Sequence, residues 1–499
     1  AHAPTKDTDG TVSRTGARCV RCGTAVPLSY VRAEGKAGRM GARLMAIAAE
    51  GKRQRIYLPP TPEHEKAADV PVPDDVPDTE LPQAALGFRV QGYGMTRHAD
   101  LFTPRQLTAL TTFSDLVQEA RQQVYADALA AGLPEGDDLE SGGTGAHAYA
   151  DSVAVYLAMT VDRLADIANS LCGWEPVAEC PRHLFGRQAI SMKWDYAEGV
   201  PLGQASGSWS ALLAGAELAF GSRAFTSSNS TDARVDEGDA RALSLDNLLV
   251  STDPPYYDNV GYADLSDFFY IWLRRTLASV MPKTFSTLLT PKADELVADP
   301  ARHGGPKQAG TFFEEGFRRV FERIERGCRH DAPVTLFYAF KQSENVTGSD
   351  GAVSTGWETL LDSMLRAGWE VTGTWPLATE TTSRLRGQNA NALASSIVLA
   401  LRPRPPTAEA VTRRGFLAEL RGEMPAALRH MQAASIAPVD FAQAAIGPGM
   451  AVFSRHSAVI EADGSPMTVR TALALINQAL DEVLAEQEGD FDADTRFCV

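Results

Sequence analysis

Four consecutive residues, Asp253-Pro-Pro-Tyr256, combine groups that could do chemistry on a flat amine. Pro254 and Pro255 fix φ and remove two backbone donors, so the Pro254 carbonyl can point out of the turn beside the Asp253 carboxylate. Two acceptors side by side suit an exocyclic amino group carrying two hydrogens. Tyr256 adds an aromatic face, and a planar base stacked on such a face gains ~1–3 kcal/mol in nucleic-acid sites. The same four letters also make a plain tight turn with a capping aspartate, so their meaning depends on what holds them. A second chemical candidate is Cys19-Val-Arg-Cys22-Gly23, two thiolates two residues apart with a glycine that permits a tight turn around a metal. A structural zinc site needs four ligands, and no second C-x-x-C occurs in the chain. A pair of reduced structural cysteines is the alternative.

The elements that must position these groups follow from the apolar pattern. Leu248, Leu249 and Val250 predict a buried parallel strand that ends at the two prolines, with a helix after the turn. Open α/β sheets place their ligands at the carboxyl end of such a strand. Residues 233–240 read as a short strand ending in an acidic loop, 334–340, 369–375 and 395–401 as further strands, and 312–326 and 357–367 as helices. That succession is the second half of a doubly wound sheet. Upstream, residues 58–82 are proline-rich and acidic and read as an extended linker, and 88–95 as a short hairpin. Thr103-Pro104 opens a long amphipathic helix to about Leu129, and a second runs from about Ala146 to Asn169. Two glycine clusters, Ser141 to Gly145 and Ile446-Gly-Pro-Gly449, are weak candidates for a cofactor loop, since neither follows a strand in the expected way.

The Asp253-Pro-Pro-Tyr256 turn resembles motif IV of the amino-group methyltransferases, which methylate N6 of adenine or N4 of cytosine with S-adenosylmethionine. Its continuation, Tyr257-Asp-Asn-Val260 and Ala263-Asp-Leu-Ser-Asp-Phe-Phe-Tyr270, is similar over nearly the whole chain to the adenine-specific DNA methylases of phage-defence loci that carry a zinc ribbon. The resemblance implies an α/β fold: a Rossmann-like class I methyltransferase sheet, a helical insertion and a small zinc-ribbon-like N-terminal segment. The implied divisions are 1–58 for the partial ribbon, 59–85 for the linker, 86–225 for the insertion, 226–405 for the catalytic core and 406–499 for a helical region. It implies catalysis by Asp253, Pro254, Pro255 and Tyr256, contact of Asp239 with the cofactor's adenine, and contact of Tyr257, Arg384 and Arg386 with nucleic acid. S-adenosylmethionine and a zinc ion on Cys19 and Cys22 are the implied cofactors. DNA is the implied substrate, and other defence-system subunits or a missing N-terminal polypeptide are the implied partners. In that family a glycine-rich cofactor motif and another cysteine pair precede the point where this sequence begins, and the string Asp492 to Val499 continues further. A cytosine-N4 or RNA amino methyltransferase and a catalytically silent scaffold subunit remain the alternatives.

Composition sets bounds on all of this. With 499 residues, 44% of them hydrophobic, the chain can bury more than one core. A formal charge of −16 argues against a surface coated for nucleic acid, because Lys and Arg neutralising phosphates dominate that affinity. Binding would then fall to local clusters such as Arg274-Arg275, Arg318-Arg319, Arg384-Leu-Arg386 and Arg413-Arg414. No apolar run is long enough for a membrane span and the first residues have no apolar signal region, so a cytoplasmic protein is expected. Six scattered cysteines do not make a disulfide framework.

Overall fold

The computed structural model describes residues 11–13, 15–19, 21–52, 54–220, 235–257, 260–338, 355–378, 395–433 and 438–489. The chain is a mixed α/β protein in two compact units, Ala1–Ala233 with Gly261–Glu295 and Arg234–Val260 with Leu296–Val499. No helix among the described residues is long and apolar enough to cross a membrane.

The first unit opens with a three-stranded antiparallel sheet, β1 (Val12–Ser13), β2 (Gly16–Arg18) and β3 (Ala25–Pro27), followed by helix α1 (Leu28–Lys36) and the hairpin of β4 (Ile47–Glu50) and β5 (Arg55–Leu58). The expected linker is more ordered than its composition suggests. It contains helix α2 (Pro62–Ala68), capped by Thr61, and beyond it Leu81 is buried and Asp75 pairs with Arg275. The expected hairpin at 88–95 is instead a turn of 3₁₀ helix over Val90–Tyr93, ended by Gly94 at φ 90°. A side chain on Gly94 would start 2.3 Å from the Gly35 carbonyl oxygen, so the chain turns here where a strand would have to continue.

Two long helices carry this unit. Helix α3 (Pro104–Ala130) starts as the sequence predicts, with Pro104 in the first turn and a capping box between Thr103 and Gln106. Helix α4 (Ala146–Ile167) starts at Gly145, where φ is 94° and an added Cβ would lie 2.5 Å from the Pro134 carbonyl oxygen. The glycines from 142 to 145 therefore fold a compact turn onto residues 134–138 and are not arranged as a cofactor loop. Strands β6 (Trp174–Glu175) and β7 (Cys180–Pro181) and helix α5 (Trp209–Phe220) follow. Helix α6 (Tyr262–Leu277), the helix expected after the Asp-Pro-Pro-Tyr turn, belongs to this unit. It buries Phe268, Ile271 and Trp272; Phe102 stacks on Phe268 at 5.6 Å, and Phe185 meets the same ring edge-on at 5.2 Å. The aromatic string around Phe185 thus covers a core.

The second unit is built on a four-stranded sheet of β8 (Ser251–Thr252), β9 (Val334–Tyr338), β10 (Trp369–Ala378) and β11 (Ser395–Pro403), in the order β10-β11-β9-β8. β8 and β9 are parallel, while β11 runs antiparallel to both its neighbours. Val334, Leu336 and Tyr338 alternate inward along β9, as a strand over one apolar layer requires. Helices α7 (Pro306–Gly327) and α8 (Thr355–Arg366) cover the sheet. α7 presents Phe313, Phe317, Phe321 and Ile324 at helical spacing, each such burial being worth ~1.5–3 kcal/mol. After the short strand β12 (Val411–Thr412) come helix α9 (Arg413–Ala433) and helix α10 (Pro438–Ser454), then strand β13 (Val459–Ile460), which pairs with β12, and helix α11 (Val469–Gly489). All three helices contribute to the same apolar cluster as the sheet.

Three expectations fail here. Residues 235–239 form no strand and 231–234 lie outside the described residues. The Leu248 to Val250 run is not buried: β8 is the last strand of the sheet, and Leu248 and Leu249 are 50% and 63% exposed. Ile446 to Gly449 lies inside α10, where Gly447 packs on Thr374 of β10 and Gly449 on Ile476 of α11. Those two glycines serve close packing between elements, which a local Gly-Pro-Gly signature does not distinguish from a loop.

Candidate active site

The Asp253 turn is held from beneath by the parallel pair. Leu248 and Val250 accept backbone hydrogen bonds from Arg329 and Thr335, which brings the chain into register beside β9 and delivers the turn at the carboxyl end of β8. Pro254 is buried and Pro255 half-buried, while Asp253 between β8 and the prolines is exposed. The prolines anchor the turn and leave the carboxylate in water. The Pro254 carbonyl accepts no backbone hydrogen bond from the described residues.

Tyr256 is tied down at both ends. Its hydroxyl donates to Asp253 Oδ1 at 3.0 Å, and its ring meets Tyr338 edge-on at 5.3 Å with an interplanar angle of 86°. Tyr338 in turn stacks on Trp357 at 5.4 Å, and the buried indole N–H of Trp357 has no hydrogen-bond partner among the described residues. This aromatic support was not singled out in the sequence. Its signal was present in Tyr338, the inward-facing residue at the end of the strand next to β8, and in Trp357 at the first turn of a helix. Tyr257 points to a different task. Its φ is 49°, its ring lies edge-on to Phe313 at 5.0 Å, and its carbonyl accepts from Ala298 N–H at 3.0 Å. Gly356 and Gly310 make room for it: a Cβ on Gly356 would lie 2.9 Å from Tyr257 Cβ, and one on Gly310 3.2 Å from its hydroxyl. Tyr257 therefore bolts the turn to α7 and α8.

Asp239 is exposed in an irregular loop and its carboxylate is gripped by Arg241 through Nε and Nη2, at 2.9 and 2.8 Å, which holds its pKa below the usual range. That loop is fastened to α7 by Arg323, which donates to the Leu243 carbonyl. Arg384 and Arg386 lie outside the described residues. Among the described residues no glycine-rich loop follows a strand, so they do not fit a complete S-adenosylmethionine pocket.

Cys19 and Cys22 sit together at the turn between β2 and β3. Gly23 N–H donates to the Cys19 carbonyl at 2.8 Å and Cys19 N–H to the Thr24 carbonyl at 2.9 Å, closing the turn. Hydrogen bonds from Thr24, and then from Cys19, hold the exposed Cys22 thiol below its ordinary pKa. The pair has the form of half a tetrahedral site. Among the described residues no group of three or more His, Cys, Asp or Glu side chains could hold a metal. Compared with protein families, curated proteins and solved structures, the chain matches none.

Proposed function

We propose that this chain carries the base-presenting half of an amino methyltransferase acting on adenine N6 of DNA. The observation that carries the reading is the exposed Asp253 carboxylate, on a turn rigidified by two prolines and seated at the carboxyl end of a parallel strand pair. An adenine amino group offers two hydrogens, and Asp253 and Pro254 supply two acceptors. An amine held by both has its nitrogen lone pair fixed in direction, and positioning of this kind can supply a large share of an enzymatic acceleration. The base must leave the duplex to reach the turn, and Tyr256 offers it a ring already held by Tyr338. Tyr256 OH and the substrate compete for Asp253 Oδ1, so substrate entry displaces or shares that hydrogen bond.

The described residues do not complete a site for the methyl donor, and no transfer step is assigned to them. The edge position of β8 and the exposure of Leu248 and Leu249 suit a sheet completed by further strands, which would bring the donor site with them. The same observations favour one rival, a scaffold subunit whose turn no longer acts. Transfer of labelled methyl groups to DNA, by this chain together with a polypeptide that supplies the donor site, separates the two. Activity lost in Asp253→Ala, in a protein that melts normally, supports the methyltransferase. Activity retained in that variant, or absent with every partner, refutes it.

A further inference from the structure

The arginine pairs of the sequence meet different fates. In the first unit Arg275 is neutralised by Asp75 and Asp115, each at 2.9 Å. On α7, Arg318 and Arg319 are paired with Glu315 and Glu322. Arg413 and Arg414 stand apart. They open α9, with Thr412 as the cap that accepts Gly415 N–H at 3.2 Å, and no acidic residue lies in the first turn. Two cations at the positive end of a helix dipole are an unfavourable placement that a bound anion relieves. Arg413 meets Glu461 at 3.0 Å, but exposed Arg414 has no carboxylate partner among the described residues.

Beside them lies a cleft of about 670 Å³, within the size range of small-ligand sites. Its lining includes exposed Arg413, Arg414 and Arg421 and the half-buried Leu417 and Ile460. Among the described residues Arg421 reaches only Glu482, at 3.4 Å on an exposed surface, a pairing weak enough to give way to a better anion. Guanidinium forks match phosphate oxygens two at a time, and apolar side chains beside them suit a flat or apolar body. The cleft is separate from the Asp253 turn: α9 packs on α10, α10 packs on β10, and β10 and β8 are opposite edges of the sheet.

We infer that this cleft binds a free phosphate ester of nucleotide size, its phosphate held by Arg414 with help from Arg413 and Arg421 and its body resting on Leu417 and Ile460. The site is independent of methyl transfer. Calorimetry on the whole chain with ADP, inorganic pyrophosphate and a short single-stranded oligonucleotide as probes tests it. ADP should bind more tightly than pyrophosphate, and Arg414→Ala should weaken ADP by about tenfold or more, as loss of a charge-assisted contact requires. Asp253→Ala should leave ADP binding unchanged. Arg414→Ala should melt no lower than the parent, since it removes a cation from a positive helix end. No ADP binding at about 1 mM, a level weaker than any useful small-ligand site, or equal binding by Arg414→Ala and the parent, overturns the site. Pyrophosphate binding as tightly as ADP overturns the role of Leu417 and Ile460. An oligonucleotide that binds more tightly than ADP through Arg414 overturns the assignment to a free ligand.

Discussion

Around Trp369, Phe321 and Leu399 the second unit packs almost entirely apolar side chains, and its buried polar residues, among those described, are Asp299, Ser363 and Ser454. The first unit buries His98, Asp151, Asp162, Asn169, Asp264, Asp267 and several hydroxyls between its helices. Some of these face a cation: Asp267 accepts from Thr290 N–H at 2.9 Å and faces Lys292 Nζ at 2.6 Å, and Asp151 faces Arg121 at 2.6 Å. Others do not, and His98 Nε2 and Asp162 Oδ1 have no hydrogen-bond partner among the described residues. The sheet unit keeps its polar chemistry at the strand ends and the helical unit stores its own inside. Substitution should therefore hurt the first unit mainly through electrostatics and the second mainly through sterics.

The largest effect should come from breaking the buried ion pair. Asp267→Ala leaves Lys292 without its counter-charge and Thr290 N–H without its acceptor, and should destabilise the first unit by about 3–5 kcal/mol. Denaturation followed by tryptophan emission should show one transition moving and the other staying; a joint shift of both would mean that the units do not unfold separately.

A steric lesion is the counterpart in the second unit. Gly447→Leu drives a side chain into Thr374, whose Oγ1 would lie 2.0 Å from the new Cβ, and should cost about 1–3 kcal/mol or more. Its cost should be the same from pH 5 to 8, because no titrating group is touched. A pH-dependent cost would undo the contrast between the units.

Asp162 tests the electrostatic half in the opposite direction. Burial alone pushes its pKa well above the ordinary value, so the folded chain binds this proton more tightly than the unfolded chain. Its contribution is then most favourable below pH ~4 and declines as pH rises from there toward the folded pKa. Asp162→Asn should raise first-unit stability at pH 7 by about 1 kcal/mol or more and flatten its pH dependence. Unchanged melting at both pH 4 and pH 7 would show that the carboxylate finds a partner in solution.

The smallest effect should follow from Tyr256→Phe. The change removes one exposed hydrogen bond to Asp253 and keeps the ring on Tyr338, so stability should stay within about 0.5 kcal/mol. Methyl transfer should fall far less than in Tyr256→Ala. Equal losses in the two variants would assign the work to the hydroxyl and take the stacking surface out of the proposal.

Much of the scaffold was legible because its causes are local. Thr103, Pro104 and Gln106 form their cap within one turn, the stripe on α7 repeats at helical spacing, and β9 alternates residue by residue, so each element is specified by near neighbours in the chain. Asp253-Pro-Pro-Tyr256 was legible for the same reason, since two prolines constrain their own backbone wherever they stand. What needed the tertiary structure were properties that depend on which surfaces meet. A run of Leu248, Leu249 and Val250 is equally suited to a central or an edge strand, and the neighbours present leave it at the edge. Gly447 and Gly449 read as a loop until Thr374 and Ile476 are brought against them. Tyr256 looks like a free platform until Tyr338, some eighty positions on, arrives beneath it. Local sequence specifies conformation through sterics and hydrogen bonds a few residues apart, whereas exposure, support and charge balance belong to contacts made between distant segments.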